Sequence, residues 1–590
     1  MSRTRSRPPA APPDPSSLPR PWVASYPPGV PPSYRFPDVP VTRFLDDAAR
    51  DFPEQVALDH RGWTCTWAEL RDQVDRFASA LLDLGVTAGD HLGVALPNLP
   101  AWVVASFAAW RVGAVLVPLE PGLGVDDLVD ACEHLEVRVL VCLEPHVPTV
   151  NAARTRLPGL AHVVATGVQD WLPVRGRLLA PLVGRRAGWY RRVRPDDDVW
   201  SLTGLVEHAG GLVKQVPLAS DAPAAVLRTG GTTGRRRAVV LTHRNLVANA
   251  FQARLWVPDV QAGRETLLCA LPLWHAYGLT MGMLVAVLAG ARLVLVARPD
   301  VDAVLDAVDR TRPTLLPGVP RLYAALVDHP HLADHDLSSI RACVSGGAPL
   351  PPEVHRAFEE ATDGARLREG YGLTECAPLT HANPIYGRTT PGAIGLPVTD
   401  TVAAVVDPTD PSRRCEPGEV GMLLVHGPQV MAGYWRDPEA TAEVLVDGWL
   451  VTGDLATHDE DGVFRIVERA GEVLDVDGTE VVPSVVEAAL LAHPGVLEAA
   501  LVGLPDDEGR TRLTAFVVLR ARSRATAGEL TEHCRQRLDD PAVVPHEVRV
   551  VEELPRSVLG KVLRRELERR ERARLQTVAA AAPEGRGDPT

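Results

Sequence analysis

Lysine is nearly missing from this chain of 590 residues. Of its 61 basic residues only Lys214 and Lys561 are lysine, and the rest are arginine. Arginine serves wherever a generic positive charge is wanted, so a surviving lysine marks a task that suits a compact, mobile ammonium better than a planar fork. Cysteine is sparse and scattered: the eight cysteines stand at 65, 132, 142, 269, 343, 376, 415 and 534, the closest pair ten residues apart. No CxxC metal or redox pattern exists. Such a set reads as reduced, partly buried thiols of a cytoplasmic protein and excludes a disulfide scaffold. Excess positive charge is lacking too. A formal net charge of −14 excludes a general nucleic-acid binder, yet leaves room for a small anion site built from oriented amides.

Long apolar runs are few. Residues 267–291 carry no charge and are long enough to cross a bilayer, but Pro272, His275, Gly278 and Gly282 interrupt them. LLCALPL reads as a buried strand, WHAYG as a turn and LTMGMLVAVLAG as a buried helix. Residues 1–40 hold 13 prolines and lack the apolar core of a signal peptide, which predicts a disordered or extended arm. The end, 576–590, reads as a loose tail.

A chain this long exceeds one hydrophobic core and predicts at least two domains. Short apolar strands alternate with amphipathic helices through most of it, which predicts an α/β domain with largely parallel sheets over 41–468. Around 400–467 the pattern changes to strands with tight turns, a small antiparallel subdomain. After 468 the chain mixes helix and strand again, and 469–575 is expected to be a small α+β domain.

The sharpest local signal is LRTGGTTGRRRAVVLTHRN. A strand ending at Leu227 runs into Thr229, Gly230, Gly231, Thr232, Thr233 and Gly234, where consecutive glycines let backbone N–H groups point inward and threonines add hydroxyls. The loop can wrap a polyphosphate, although its spacing is not that of the GxxxxGK[ST] loop. Together with LPLWHAYGLT, SGGAPLP, EGYGLTEC, GYWRDPEATAEVLVDGWLVTGDLA and LPRSVLGKVLRREL, in that order, the chain resembles the acyl- and aryl-adenylating superfamily. Within it, the chain looks most like long-chain fatty acyl-CoA synthetases, from about Pro21 to Leu567.

That resemblance implies a large N-terminal domain, a small mobile C-terminal domain and an active site between them. It implies that a carboxylate is joined to ATP with release of pyrophosphate and that AMP is then exchanged for the thiol of coenzyme A. The TGGTTG loop with Arg237 would hold the β- and γ-phosphates, and Thr229 and Glu375 would help place Mg²⁺. Gly347, Ala348, Pro349 and Tyr371, with Gly372 and Thr374 beside it, resemble the adenine-holding surface. Asp454 and Arg469 would meet the ribose. His275 would lie near the carboxylate and α-phosphate, with Trp274 and Gly278 on the acyl tunnel. Lys561 matches the mobile-domain lysine that bridges carboxylate and α-phosphate.

Two segments depart from the resemblance. Pro-Lys-Gly after the phosphate loop is here Arg236-Arg237-Ala238. The usual charged hinge residue is Gly471, followed by Asp477 before Gly478 and by Glu480, carboxylates expected to disfavour an anionic nucleotide thiol. Three functions therefore stay open: a fatty acid–CoA ligase, an acyl-AMP ligase that loads a carrier protein or other acceptor, and a non-catalytic fatty acid or nucleotide binder. A homodimer and peripheral membrane contact are compatible with each.

Overall fold

The computed structural model describes residues 11–194, 197–210, 216–229, 237–298, 300–476, 479–506, 510–538, 540–557 and 560–581, with side chains described as far as 574. The alternation of strands and helices resolves into two large sheets. One has eight strands, in which His91–Ala95, Val115–Pro118, Val137–Leu143 and His162–Thr166 run parallel to their neighbours and Pro223–Arg228 runs parallel to Val115–Pro118. The other joins two four-stranded sheets through single parallel bridges at Leu315. Their strands read as near-continuous apolar runs because both faces are covered by helices. Helix Pro100–Arg111, for example, is buried along its whole length. The expected antiparallel subdomain is present as five strands between Val402 and Arg469.

Residues 267–291 form the strand Thr266–Cys269, a turn, and a buried π-helical segment Gly278–Leu284 that continues into helix Val285–Leu288. Among the described residues no helix is long and apolar enough to cross a membrane. All eight cysteines are free and buried.

The proline-rich arm departs from one of its two expectations. From residue 11 it is extended but not disordered: it is docked along the antiparallel subdomain. Trp22 is buried edge-on against Phe464, Tyr26 donates to the Pro397 carbonyl at 2.6 Å, and Trp449 donates to the Pro13 carbonyl at 2.8 Å. Aromatic residues spaced along a proline frame supply the apolar area that composition alone obscures. The end also differs: helix Arg564–Ala581 runs through the first part of the expected tail, while residues 582–590 lie outside the described residues.

After strand Phe464–Arg469 a 3₁₀ turn, Ala470–Glu472, leads into a separate core. There helix Pro483–Leu491 and the three-stranded sheet of Val496–Pro505, Thr511–Leu519 and Glu547–Val550 enclose Val486, Leu490, Leu501, Leu513 and Leu530.

Candidate active site

In the sequence, the glycine-rich string falls between two strands that pair with each other. Strands Pro223–Arg228 and Ala238–Thr242 pair antiparallel with Arg228 opposite Ala238, and the Thr229 N–H donates to the Arg237 carbonyl at 2.8 Å, closing the neck. Gly230, Gly231, Thr232, Thr233 and Gly234 lie outside the described residues, as do Lys214, Arg236, Asp477 and Gly478. At the neck, the Arg237 guanidinium lies 5.0 Å from the Tyr434 ring centroid and donates to Glu443 at 3.1 Å. Tyr434 is fixed by pairing opposite Val239 and donates its hydroxyl to Glu375 Oε1 at 2.9 Å. Burial, with the Glu375 charge beside it, pushes the Tyr434 phenol up, so it stays a donor. One network thus joins the loop's neck to Glu375.

Glu375 lies in the 3₁₀ turn Thr374–Cys376, after strand Arg366–Gly372. The turn needs Gly372, because a Cβ there would stand 2.0 Å from the Pro378 carbonyl oxygen. Glu375 is half-buried and forms no ion pair among the described residues. A carboxylate that forms no close ion pair among the described residues and is joined through Tyr434 to the hairpin neck fits Mg²⁺, which takes one or two protein oxygens and completes its shell with phosphate and water. Thr229 at the neck offers the second oxygen. Among the described residues no group of three or more His, Cys, Asp or Glu could hold a metal alone.

Three strands bring Tyr371, Asp454 and Arg469 together. Asp454 and Arg469 stand opposite in register, Arg469 Nε donates to Asp454 Oδ1 at 3.0 Å, and the Tyr371 hydroxyl donates to Oδ2. Asp454 is 3% exposed. Burial and this carboxylate push the Tyr371 phenol up, so it remains protonated. A carboxylate fixed from two sides offers its remaining lone pairs in a set direction, suited to a pair of neighbouring hydroxyls. Gly347, Ala348 and Pro349 follow strand Ala342–Ser345, which pairs with the Tyr371 strand. They form an open surface of small residues, with Gly347 at φ 87°.

His275 is half-buried in the turn before the π-helical segment. Burial pushes its imidazole down to about 4, so it is neutral at pH 7. The Tyr277 N–H donates to Nδ1 at 3.2 Å, which leaves the proton on Nε2 as a free donor. Asn98, fully enclosed, fixes this turn by donating to the Leu271 carbonyl at 2.7 Å and accepting from the Leu273 N–H at 3.0 Å. Trp274 is half-buried beside it. Gly278 answers to packing: a Cβ would stand 2.1 Å from the Pro272 carbonyl oxygen.

Lys561 approaches from the small domain. Its Nζ lies 3.5 Å from Glu472 Oε1, and Arg564 grips the other oxygen of Glu472. Arg564 also meets Glu487 at 2.8 Å and Glu468 at 3.7 Å. Ser484 donates to Glu468 at 3.0 Å and to the Val467 carbonyl at 2.9 Å. Arg469 is within electrostatic reach of Glu472 and Glu375 as well as Asp454, so the lysine's partner belongs to the same charged cleft. Gly560 stands beside Arg321 of the large domain.

The expected hinge and thiol side are less tightly drawn. Gly471 has an ordinary φ and no atom within 4 Å of a Cβ position, so neither space nor backbone demands glycine there. Glu480 is exposed, opposite Asp475 in the hairpin Leu474–Val476/Thr479–Val481. It forms no hydrogen bond or ion pair among the described residues. Sequence reasoning missed Asn98, Tyr434 and Glu472. Tyr434 lay within a string already singled out, GYWRD, whereas nothing local marked the other two.

Comparisons with known proteins show the family. The model of the AMP-binding enzyme family matches residues 45–435, and that of the AMP-binding enzyme C-terminal domain matches 485–561. The chain is 36% identical over 554 residues to a long-chain-fatty-acid–CoA ligase of Bacillus subtilis, covering 93% of this chain and 97% of that one. It is 34% identical over 523 residues to a feruloyl-CoA synthase of Amycolatopsis, covering 88% and 97%. The crystal structure of ATP-bound MatB from Rhodopseudomonas palustris superposes with a TM-score of 0.77 at 27% identity, covering 90% of this chain and 99% of that one.

Proposed function

This chain belongs to the AMP-binding enzyme family, and from that premise we propose that it joins a long-chain fatty acid to coenzyme A through an acyl-adenylate. It is an adenylate-forming acid–CoA ligase whose reaction takes ATP with Mg²⁺, and coenzyme A. The observation that carries the reading is the convergence of Asp454, Arg469 and Tyr371 with Glu375 on one side and Lys561, through Glu472, on the other.

In this reading the ribose hydroxyls donate to Asp454, and Arg469 balances its charge. The hairpin neck and Arg237 face the β- and γ-phosphates. Glu375 and Thr229 would hold Mg²⁺, which would supply neutralisation of phosphate charge. The fatty carboxylate oxygen attacks the α-phosphorus, the bond to the β-phosphate oxygen breaks, and pyrophosphate leaves. Lys561 leaves Glu472 to meet the charge that moves between carboxylate and α-phosphate, and the neutral His275 donates from Nε2 to the same region. The thiol then attacks the acyl carbon and AMP departs. We place the domain boundary at 468–469, so that Glu468 holds the small domain from one side of the hinge and Glu472 from the other.

An apolar setting supports the long-chain class: Leu271, Leu273, Leu279, Met281 and Met283, on the segment that carries Trp274 and His275, belong to the buried core of the large domain. The relative named for a long-chain fatty acid is also the more similar of the two described. A second acceptor is favoured by one observation: Glu480, exposed and without an ion pair among the described residues, adds negative charge just beyond the hinge, which disfavours an anionic nucleotide thiol.

The test is pyrophosphate release with a series of fatty acids and ferulic acid, with and without coenzyme A, resolved by mass spectrometry. Acyl-CoA from long-chain acids is expected. Turnover of ferulic acid alone would move the substrate class, and acyl-AMP that ignores coenzyme A would move the acceptor.

A further inference from the structure

One helix of the large domain is inside out. Helix Val174–Arg186, VRGRLLAPLVGRR, follows strand His162–Thr166 and the turn Val168–Trp171. A helix on a water-soluble domain turns its large apolar residues to the core and its small or polar ones outward. Here the inward stripe is Gly176, Ala180 and Gly184, spaced by four, with Ala180 and Gly184 buried. Close approach fixes that choice: a Cβ on Gly184 would stand 2.6 Å from the Tyr190 side chain and 2.8 Å from the Trp189 ring.

The large apolar residues face solvent instead. Val174 and Leu178 are 75% exposed, Leu182 65%, Leu179 57% and Val183 53%. Among the described residues they are five of the twelve exposed large apolar side chains, gathered on one helix of 13 residues. Scattered exposed leucines need no explanation, but a contiguous set does.

Charge narrows the kind of partner. Across 172–194 the sequence has seven arginines and no acidic residue, in a chain whose net charge is −14. Arg175, Arg185 and Arg186 lie exposed on the helix among the leucines, and none forms an ion pair among the described residues. Arg192 and Arg194 follow, also exposed. Long arginine stems can lie along an apolar surface while their guanidinium groups reach anionic oxygens. Exposed leucines interleaved with arginines, on a helix too short to span, suit an element lying at the surface of an anionic bilayer, with the leucines in the acyl boundary and the guanidinium groups at the phosphates.

We propose that helix Val174–Arg186 is a docking surface for anionic phospholipid bilayers, with Leu178, Leu179 and Leu182 entering the acyl boundary and Arg175, Arg185 and Arg186 meeting lipid phosphates. The proposal gives the proposed fatty-acid activity a place to collect its substrate and rests on that reading only for its purpose. The binding itself needs neither ATP nor turnover, so it can fail or stand separately.

The experiment is flotation of the full-length protein with extruded vesicles of phosphatidylcholine, with and without phosphatidylglycerol, at low and high salt. Wild type is expected to float with the anionic vesicles, more weakly at high salt. The Leu178→Ser/Leu182→Ser variant should lose about tenfold or more in partitioning. Arg185→Gln/Arg186→Gln should lose roughly fivefold per arginine on anionic vesicles and little on neutral ones. Both variants should keep their melting temperature and their kinetics on a water-soluble acid, because these side chains are exposed and remote from the cleft. Failure of wild type to bind anionic vesicles would overturn the proposal. So would a serine variant that floats like wild type, or a wild-type dimer in solution that the serine variant dissociates, which would assign the face to a second copy of the chain.

Discussion

The two sides of the cleft are built differently. On the large domain, Asp454 is buried in a strand, paired in register with Arg469 and capped by Tyr371. On the small domain, Lys561 is 36% exposed and meets Glu472 at 3.5 Å, a contact long enough to be exchanged for another anion. Buried groups with set partners are already arranged before any ligand arrives. An exposed ammonium on a loop can leave one carboxylate and follow moving charge. In the proposed reading, the Asp454 side is a template for the nucleotide and the lysine side is a moving part.

The comparison breaks first at Asp454. Asp454→Ala removes the partner of Arg469 and of the Tyr371 hydroxyl, so it is expected to lower both ATP affinity and stability. A loss of about 2–4 kcal/mol in unfolding free energy is expected, read by denaturant titration. Lys561→Ala should leave the denaturation curve within about 0.5 kcal/mol of wild type. Equal stability losses for the two variants would erase the distinction.

Titration sharpens it next. Burial pushes Glu369, two residues before Tyr371 on the same strand, up to about 7. A carboxyl raised in the fold is protonated there while the unfolded chain has already ionised. Its contribution is full below pH 4.5 and lost as pH rises through about 7, on the order of 1–3 kcal/mol. Glu369→Gln should flatten the fall of melting temperature over that window. His275 runs the other way: lowered by burial to about 4, it contributes stability above pH 6.5 that is lost as pH falls through 4. Because it is neutral throughout, adenylation should show no limb near 6.5 that His275→Gln abolishes. The smallest effect is expected from Glu472→Gln, which frees Lys561 without touching the wall. Adenylation should change by only a few-fold, measured as the single-turnover rate of acyl-AMP formation.

The same contrast explains what was legible. Asp454, Arg469, Tyr371 and Glu375 stood in strings whose residues are neighbours along one strand or turn, and the alternation of strand and helix gave the α/β frame. Glu472 and Asn98 act through partners 89 and about 175 positions away, and no local pattern announces such a pairing. The arm's docking was not legible, because proline content says nothing about Trp22 and Tyr26 as anchors. The helix at 174–186 has an ordinary apolar period, and only its placement shows that glycine and alanine, rather than leucine, face the protein.

The most direct measurement returns to the scarce residue. In a chain that uses arginine almost everywhere, Lys561→Arg keeps the charge and changes only its shape and reach. The single-turnover rate of acyl-AMP formation should fall on the order of 10²-fold with an unchanged denaturation curve, because a wide fork cannot follow the charge between carboxylate and α-phosphate. An arginine variant that adenylates at the wild-type rate would contradict the account, leaving position 561 as generic positive charge.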